Sequence, residues 1–351
     1  MLKENKNFID EEKLDLIGFD SSNKKRSGSF LITDKNITKI ENQSEKLEIL
    51  PLSEAIEKYS WLKKYAKSIP QKSLGYFMRV LPNSKINYPI QAGFYMKENK
   101  YQTTHNIFVA EPNTKVNLLS GCTASVEEGK HLGISHYLVR ENALLSVTKI
   151  HYWPFRTSSF SKNSIIVGRN ATFISNYVAL DIGEKEESYS TINIKEGGVA
   201  RINSIIYAKK NSNFNISDKV SLDEKNARAE ILSKTISNGG KSFVKEYILG
   251  RDKGTKGHIE CDGLLLDNEG IIHTMPELKA MHPQTDLSHE AAVGRISEEE
   301  LNYLMSKGID EKSAKSLIIR GFLEVKIKGL SRDLQESIER LIEKISIEGT
   351  T

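Results

Sequence analysis

Cysteine is scarce in this chain: Cys122 and Cys261 are the only two among 351 residues. They lie far apart, and a chain of this length can bury enough apolar surface to fold without a disulfide. No pair of cysteines has the close CxxC spacing of a structural zinc site. We therefore expect two free thiols in a reducing compartment.

Long apolar runs are also missing. Nowhere do about 18 apolar residues follow one another, as a membrane-spanning helix would require. The segment MLKENKNFIDEEKLDLIGFD has no apolar stretch after its charges, so it does not resemble a secretory signal. The expectation is a soluble cytoplasmic protein that is neither exported nor inserted into a membrane.

An excess of one charge is absent as well. The 50 Lys and Arg residues nearly balance 46 Asp and Glu residues, which leaves a formal net charge of +4. A nucleic-acid-binding protein is expected to concentrate basic residues on one face. The balance argues against nucleic acid as a partner.

What is present is an internal repeat from about residue 75 to 285. A polar turn residue recurs about every 28 residues, and a run rich in β-branched residues follows each one, from VNLLSGCTA to HIECDGLLL. No amphipathic helix intervenes, so the pattern predicts a β-solenoid. The alternative is a β-sandwich with evenly spaced turns, but sandwich strands recur every 8 to 12 residues or so. The turn markers are Asn113, Asn142, Asn170, Gly197, Asn226 and Gly254.

Helical patterns flank the repeat. In LSEAIEKYSWLKKYAKSI, Ser53 is a candidate N-cap and Pro70 closes the helix. We predict a mixed and helical N-terminal region over 1–72, a β-helix core over 73–290 and a helical C-terminal region over 291–351. The apolar residues at helical spacing in the N-terminal helix are Ile56, Tyr59, Leu62 and Tyr65.

The C-terminal region carries clear helix boundaries. Ser297 followed by Glu300 forms a capping box, Gly308 fits a C-terminal cap, and Asp310 can start the next helix. The later run SRDLQESIERLIEKI has one apolar face and one charged face, so it is expected to dock on another surface. Its apolar face consists of Leu334, Ile338, Leu341, Ile342 and Ile345.

The two cysteines follow their turn markers by nine and seven residues. Their offsets from Asn113 and Gly254 have the same parity, and side chains alternate across a strand, so both thiols should lie on one side of the wall. Ile259 and Leu265 share the parity of Cys261, which indicates the interior. A sheltered path through the coils could then join the thiols, although each cysteine alone is also compatible with a small buried hydrophobic residue.

Polar residues cluster after Cys261. Thiolate, imidazole and carboxylate groups bind transition metals, but one chain with two cysteines lacks the four thiolates that usually hold an iron-sulfur cluster. A cluster would need mixed ligands, a second chain or only transient residence. The candidate residues are Asp262, His273, His282, Asp286, His289 and Glu290.

Two segments resemble a known family. The run LLSGCTASVEEGKHLGISHYLVRENALLSVTKIHYW is similar to the cysteine segment of SufB scaffold proteins. CDGLLLDNEGIIHTMPEL, followed by SHEAAVGRISEEELNYLMSKGIDEKSAKSLIIRGFLEV, resembles the signature of the SufB and SufD family. With GYFMRVLPNSKINYPI and the N-terminal helix, the resemblance covers roughly residues 45 to 330.

The resemblance implies a scaffold for iron-sulfur cluster assembly that is not itself an enzyme. Its expected fold is a right-handed parallel β-helix flanked by helical regions. It would bind a SufC-type ABC ATPase through its C-terminal helices, pair through the β-helix, and pass a transient iron-sulfur cluster to apoproteins.

By position, Cys122 matches the cysteine that receives sulfur in SufB, and Cys261 matches a cysteine that helps to hold the nascent cluster. His289 and Glu290 match the further ligands. Glu290 and both cysteines are closer to SufB, whereas AVGRI is closer to SufD and Ser288 replaces a frequent acidic residue. The resemblance therefore implies a compact scaffold that pairs with itself or with a SufD-like paralogue.

Two enzyme functions are disfavoured. SNGGKSF has the end of a phosphate-binding loop but no glycine at its start, so ATP hydrolysis is expected in a partner. A carbohydrate-active enzyme of the pectin-lyase type would explain the repeat. It would leave the cysteine segments and the helical C-terminus unexplained.

Overall fold

The computed structural model describes residues 11–66, 74–154, 156–323 and 343. Helices α1 to α5 are Glu11–Leu16, Leu52–Lys58, Lys63–Ala66, Glu298–Ser306 and Glu311–Leu323. Strands β1 to β19 are Gly28–Thr33, Asn36–Asn42, Leu47–Pro51, Tyr76–Val80, Ile90–Met96, Tyr101–Ala110, Lys115–Ala124, Glu128–Val139, Leu144–Tyr152, Arg156–Val167, Thr172–Asp181, Lys185–Ile194, Val199–Lys209, Asn213–Leu222, Arg228–Asn238, Lys241–Gly250, Lys256–Leu265, Ile271–Ala280 and Asp286–Arg295.

The strands form two sheets, and each coil of the chain contributes one strand to each sheet. From β5 to β19 the odd-numbered strands lie side by side in one sheet, here called sheet A, and the even-numbered strands from β4 to β18 lie in sheet B. Neighbouring strands in these two series are parallel. This arrangement confirms the predicted β-solenoid, and the sandwich interpretation is wrong.

The predicted turn markers all have left-handed backbone conformations, with φ between 53° and 69°. Asparagine tolerates this region better than most residues because its short amide can hydrogen-bond locally. Asn142 donates a side-chain hydrogen bond of 3.1 Å to Asn113 in the preceding coil. A Cβ atom at Gly197 would lie only 2.4 Å from Oδ1 of Asn170, so glycine is required where the stacked turns approach most closely.

Helical elements cover the outer faces of both sheets. Leu14 of α1 and Ile319 of α5 belong to one apolar cluster on the outer face of sheet A, which also includes Leu264. Helix α2 and the short turn after it contribute Leu52 and Leu62 to a cluster on sheet B. None of the helices in the described ranges has both the length and the apolar character needed to span a membrane.

The single N-terminal helix predicted from Ser53 onward is wrong in two respects. Helix α2 ends at Lys58, and Tyr59 has an extended conformation with φ −121° and ψ 98° before a 3-10 turn over Ser60–Leu62. Pro51 is the N-cap residue, so Ser53 lies inside the helix. The Tyr59 hydroxyl donates to the Glu48 carboxylate over 2.9 Å, and this long-range contact accompanies the break. Residues 67–70 lie outside the described ranges.

The predicted C-terminal helix boundaries are confirmed. Ser297 accepts a hydrogen bond from the backbone N–H of Glu300, Gly308 has φ 87°, and Asp310 caps α5 by accepting from the N–H of Ser313. The run SRDLQESIERLIEKI lies outside the described ranges, apart from one residue. Strands β1 and β3 extend the sheets before residue 73, and β19 ends at Arg295.

Candidate functional site

Both cysteines lie on the inner face of sheet A. Cys122 on β7 is 5% exposed and Cys261 on β17 is fully buried, and both are free thiols in the same core cluster. Strands β9, β11, β13 and β15 separate them. The predicted shared face is therefore confirmed, and Ile259 is buried beside Cys261 as expected. Leu265, near the end of the strand, is only partly buried.

Imidazole rings surround Cys122. Nε2 of His131 lies 3.9 Å from the Cys122 Sγ atom. His151 is the register partner of Cys122 on the adjacent strand β9. Nδ1 of His151 donates to the carboxylate of Glu186, which also accepts hydrogen bonds from the hydroxyl groups of Tyr177 and Ser159.

These neighbours decide the charge state of Cys122. Burial alone would raise the pKa of the thiol, but the imidazoles of His151 and His131 outweigh it and lower the pKa to about 6. Burial opposes a charged His151, yet the Glu186 carboxylate and the Cys122 sulfur raise its pKa to about 10. At neutral pH this end of the interior therefore contains a thiolate beside an imidazolium–carboxylate pair.

A carboxyl group from sheet B meets Cys261. The Cys261 thiol donates to Oε2 of Glu246 over 3.1 Å, and Glu246 also accepts from the Ser233 hydroxyl. Burial and the Glu246 carboxylate raise the pKa of Cys261 well above its usual range. Burial raises the pKa of Glu246 to about 7. Cys261 is therefore a protonated thiol at neutral pH, in contrast to Cys122.

Polar side chains occupy part of the interior between the strands that carry the two thiols. A cavity of about 30 Å³, large enough for one or two water molecules, lies there, and Lys149, Ser190 and Asp218 are among its lining residues. Residues in register on neighbouring strands form two facing rows beside this cavity. The rows are Lys149, Tyr177, Ser204, Ser233 and Cys261 on sheet A, and Asn163, Ser190, Asp218 and Glu246 on sheet B.

His289 and Glu290 lie on β19, the edge strand of sheet A, and both are exposed. His289 is in register with Ile259 and so lies on the inner face, whereas Glu290 is in register with Glu260 on the outer face. His289 therefore lies on the strand next to that of Cys261 and on the same face of the sheet, whereas Glu290 lies on the opposite face. Within the described ranges, no three His, Cys, Asp or Glu side chains converge as a metal site.

The other candidate polar residues have local roles on the surface. Asp286 pairs with Lys256 at 3.4 Å, and Asp262 lies 3.9 Å from the Lys234 ammonium. His282 accepts a hydrogen bond from the backbone of Gln284. The ring of His273 lies 6.0 Å from that of Phe243. These contacts do not direct the four side chains to Cys261.

Sequence reasoning missed the side chains that set the charge at each thiol. His151 carries a signal that could have identified it, because the repeat brings residues about 28 positions apart into register and so makes His151 the register neighbour of Cys122. His131, Glu186 and Glu246 are on sheet B, and the repeat does not indicate which sheet B residues face a given residue of sheet A.

Comparisons with known proteins agree on one family. Residues 94–322 match the family model described as SUF system FeS cluster assembly, SufBD core domain. An iron-sulfur cluster assembly SufBD family protein of Archaeoglobus fulgidus is 39% identical, over 95% of each chain. One from Methanothermobacter thermautotrophicus is 32% identical over 97% of this chain and 88% of its own. One from Staphylococcus epidermidis is 32% identical over 79% of this chain and 60% of its own.

Proposed function

This chain belongs to the SufBD family of iron-sulfur cluster assembly proteins, and from that premise we propose that it is a scaffold on which a transient cluster is built and passed to apoproteins. Cys122 receives the sulfur, and Cys261 and His289 hold the nascent cluster from the inner face of sheet A. Glu290 lies on the outer face of β19, so it serves as a cluster ligand at the interface with a second chain. The observation that carries this proposal is the pair of thiols on one inner wall, with imidazoles at one end and a carboxylate at the other. The proposed setting is the cytoplasm, where thiols stay reduced.

The chemistry of Cys122 suits sulfur acceptance. A thiolate, not a thiol, attacks the terminal sulfur of a persulfide donor. The imidazoles lower the pKa of Cys122 to about 6, so a large fraction of it is thiolate at neutral pH. Burial limits oxidation of the persulfide that forms, because susceptibility follows exposure.

The chemistry of Cys261 suits the holding of iron. The Cys261 thiol and the Glu246 carboxyl group lie within hydrogen-bond distance of each other, with 3.1 Å between Sγ and Oε2. Thiolate and carboxylate groups would both be able to hold iron once the thiol is deprotonated, so Glu246 joins the proposed ligands. Because no complete site forms within the described part of one chain, a second chain would supply the remaining ligands.

Pairing is proposed at the open end of the solenoid. Strands β18 and β19 are the last strands of their sheets, and an unpaired edge is a template for another chain. Val293 on β19 is 44% exposed there. The partner is a second copy of this chain or a SufD-like paralogue. Either arrangement brings His289 and Glu290 to the interface.

A SufC-type ABC ATPase is the proposed partner at helices α4 and α5. These helices expose Tyr303, Met305 and Leu317, which are 61%, 40% and 41% exposed. Helix α5 is anchored on sheet A through Ile319 and Leu323, which leaves the exposed residues free of the core. The carbohydrate-active alternative is disfavoured, because the family model that matches residues 94–322 describes iron-sulfur cluster assembly.

Anaerobic reconstitution with ferrous iron and sulfide tests the scaffold function. We expect the purified protein to bind iron and sulfide, and the Cys261→Ala variant to lose most of both. Val293→Asp should reduce the oligomeric mass and the bound iron together, because it places a charge at the pairing edge. Tyr101→Asp, at a residue 65% exposed on β6, is the matched surface control.

Three results would contradict the proposal or one of its parts. Failure of the unmodified protein to bind iron would refute the scaffold function. Full iron binding by Cys261→Ala would refute the site. A Val293→Asp variant that binds iron normally as a monomer would show that one chain is sufficient.

A further inference from the structure

The hydrogen bonds around His131 determine which ring nitrogen carries the proton. Nδ1 of His131 lies 3.0 Å from Oε1 of Gln102. The Gln102 amide nitrogen faces two carbonyl oxygens, those of Asp34 at 2.9 Å and Tyr95 at 3.4 Å, so it must donate to them. Oε1 of Gln102 is therefore the acceptor, and Nδ1 of His131 is the donor. In the neutral ring the lone pair is then on Nε2, which faces Cys122.

The turn that contains Asp34 makes this orientation rigid. The Asp34 carboxylate accepts hydrogen bonds from the backbone N–H groups of Lys97, Glu98 and Asn99, at 2.8 to 3.0 Å. These bonds tie the β1–β2 turn to the segment after β5. The Asp34 carbonyl group, which accepts a hydrogen bond from the Gln102 amide, is therefore fixed in position by this turn. Gln102 itself is buried and only 3% exposed.

His151 cannot take the same role as His131. Its Nδ1 atom donates to the Glu186 carboxylate, and this pairing raises the pKa of His151 to about 10. An imidazole that already carries both protons at neutral pH is a fixed positive charge and cannot accept another proton. The two rings beside Cys122 therefore differ in function: one supplies charge and the other an open lone pair.

We propose that His131 is the proton acceptor for Cys122 and that Gln102 is the positioning residue that keeps the His131 ring in the reactive tautomer. The inference rests on the proposed role of Cys122 in sulfur acceptance. Transfer of the thiol proton to Nε2 of His131 forms the Cys122 thiolate, and this thiolate attacks the terminal sulfur of a donor persulfide. The sulfur–sulfur bond of the donor breaks, and its electron pair leaves with the donor thiolate. That thiolate takes the proton from His131, so no external oxidant or reductant is needed.

The test titrates Cys122 in a chain that carries Cys261→Ala, where it is the only thiol. Thiolate ultraviolet absorption is followed against pH, together with the rate of sulfur transfer from a small-molecule persulfide. His131→Phe should raise the titration midpoint by about one unit or more and slow transfer at neutral pH at least tenfold or so. Gln102→Leu should shift both values in the same direction by less.

His105→Phe is the matched control. His105 is a fully buried histidine on the outer face of β6, where it stacks on His136 with a ring-centroid distance of 4.9 Å. The control should leave the midpoint and the transfer rate unchanged. A midpoint and rate unaffected by both His131→Phe and Gln102→Leu would overturn the proposal.

Nitrogen-15 shifts of histidine-labelled protein without further substitutions provide a readout that does not depend on whether a variant folds. His131 should show the tautomer with the proton on Nδ1, and a proton on Nε2 in the neutral ring would overturn the proposal. Neither measurement uses iron. A protein that passes both tests but binds no iron would refute the scaffold function while leaving this inference intact.

Discussion

Cys122 and Cys261 lie on the same inner wall of the solenoid, but different side chains surround them. Both are buried on the inner face of sheet A, yet the pKa of Cys122 is lowered to about 6 and that of Cys261 is raised well above its usual range. Burial acts in the same direction on both thiols. The opposite outcomes come from His151 and His131 at one site and from Glu246 at the other.

The charge of the interior side chains also differs between the two ends. Lys149 lies in the row toward Cys122, and Asp218 lies next to Glu246 in the row toward Cys261. Cationic groups favour an anionic sulfur species, while carboxylates favour a metal cation. This difference is consistent with the proposal that sulfur and iron bind at different ends of the interior. Three substitution experiments test it.

The largest expected effect comes from changing the sulfur source. With a persulfide donor, Cys122→Ala should reduce the rate of cluster formation by about tenfold or more, because the nucleophile is lost. With inorganic sulfide the same variant should assemble normally. Cys261→Ala should fail with both sources. Cluster absorption and iron and sulfide analysis provide the measurement, and equal defects in the two variants with inorganic sulfide would show that the two ends do not act separately.

The next effect concerns the proton on Cys261. In a chain that carries Cys122→Ala, Glu246→Gln should lower the titration midpoint of Cys261 by roughly one to three units, because a buried like charge is removed. The midpoint is read from thiolate absorption. Glu277→Gln, at a solvent-exposed carboxylate paired with Lys245, is the control and should cause no shift. An unchanged midpoint in Glu246→Gln would rule out Glu246 as the cause.

The third experiment concerns folding stability. Glu186→Gln should lower the free energy of unfolding by about 3 to 5 kcal/mol, because it removes one member of a buried ion pair. Glu246→Gln should change it by about 1 kcal/mol or less, since no buried cation depends on Glu246. Urea unfolding at neutral pH measures both. Glu187→Gln, at the neighbouring residue whose carboxylate pairs with Lys185 at the surface, is the control for Glu186.

The pH dependence of these variants follows from the direction of each shift. The raised pKa of His151 means that its contribution is complete below about pH 6.5 and is lost as the pH rises toward 10. The lowered pKa of Glu186 means that its contribution is present above about pH 4.5 and is lost in acid. Glu246 has a raised pKa, so its contribution declines as the pH rises from about 4.5 to 7. A Glu186→Gln deficit that did not shrink at high pH would contradict the ion pair.

Local patterns predicted a large part of the fold. The turn markers at Asn113 and Gly254 have positive φ, and Ser297 caps its helix. Each of these depends on the conformational preferences of a few adjacent residues. The break at Tyr59 was not predictable in this way, because it accompanies contacts with Glu48 and Phe77 from other strands. The helical spacing of the apolar residues persists across that break.

Sequence patterns were sufficient to predict that the chain is a stack of coils, that Cys122 and Cys261 lie on its inner wall, and which family it resembles. The physical reason is that strand alternation and turn chemistry are local and repeat with the chain. Three contacts follow from the folded structure alone: His131 with Cys122, Glu186 with His151, and Glu246 with Cys261. Those contacts cross from sheet B to sheet A, and their alignment depends on the shape of the whole coil. A thiol's pKa responds to the charges that this alignment brings within a few ångströms.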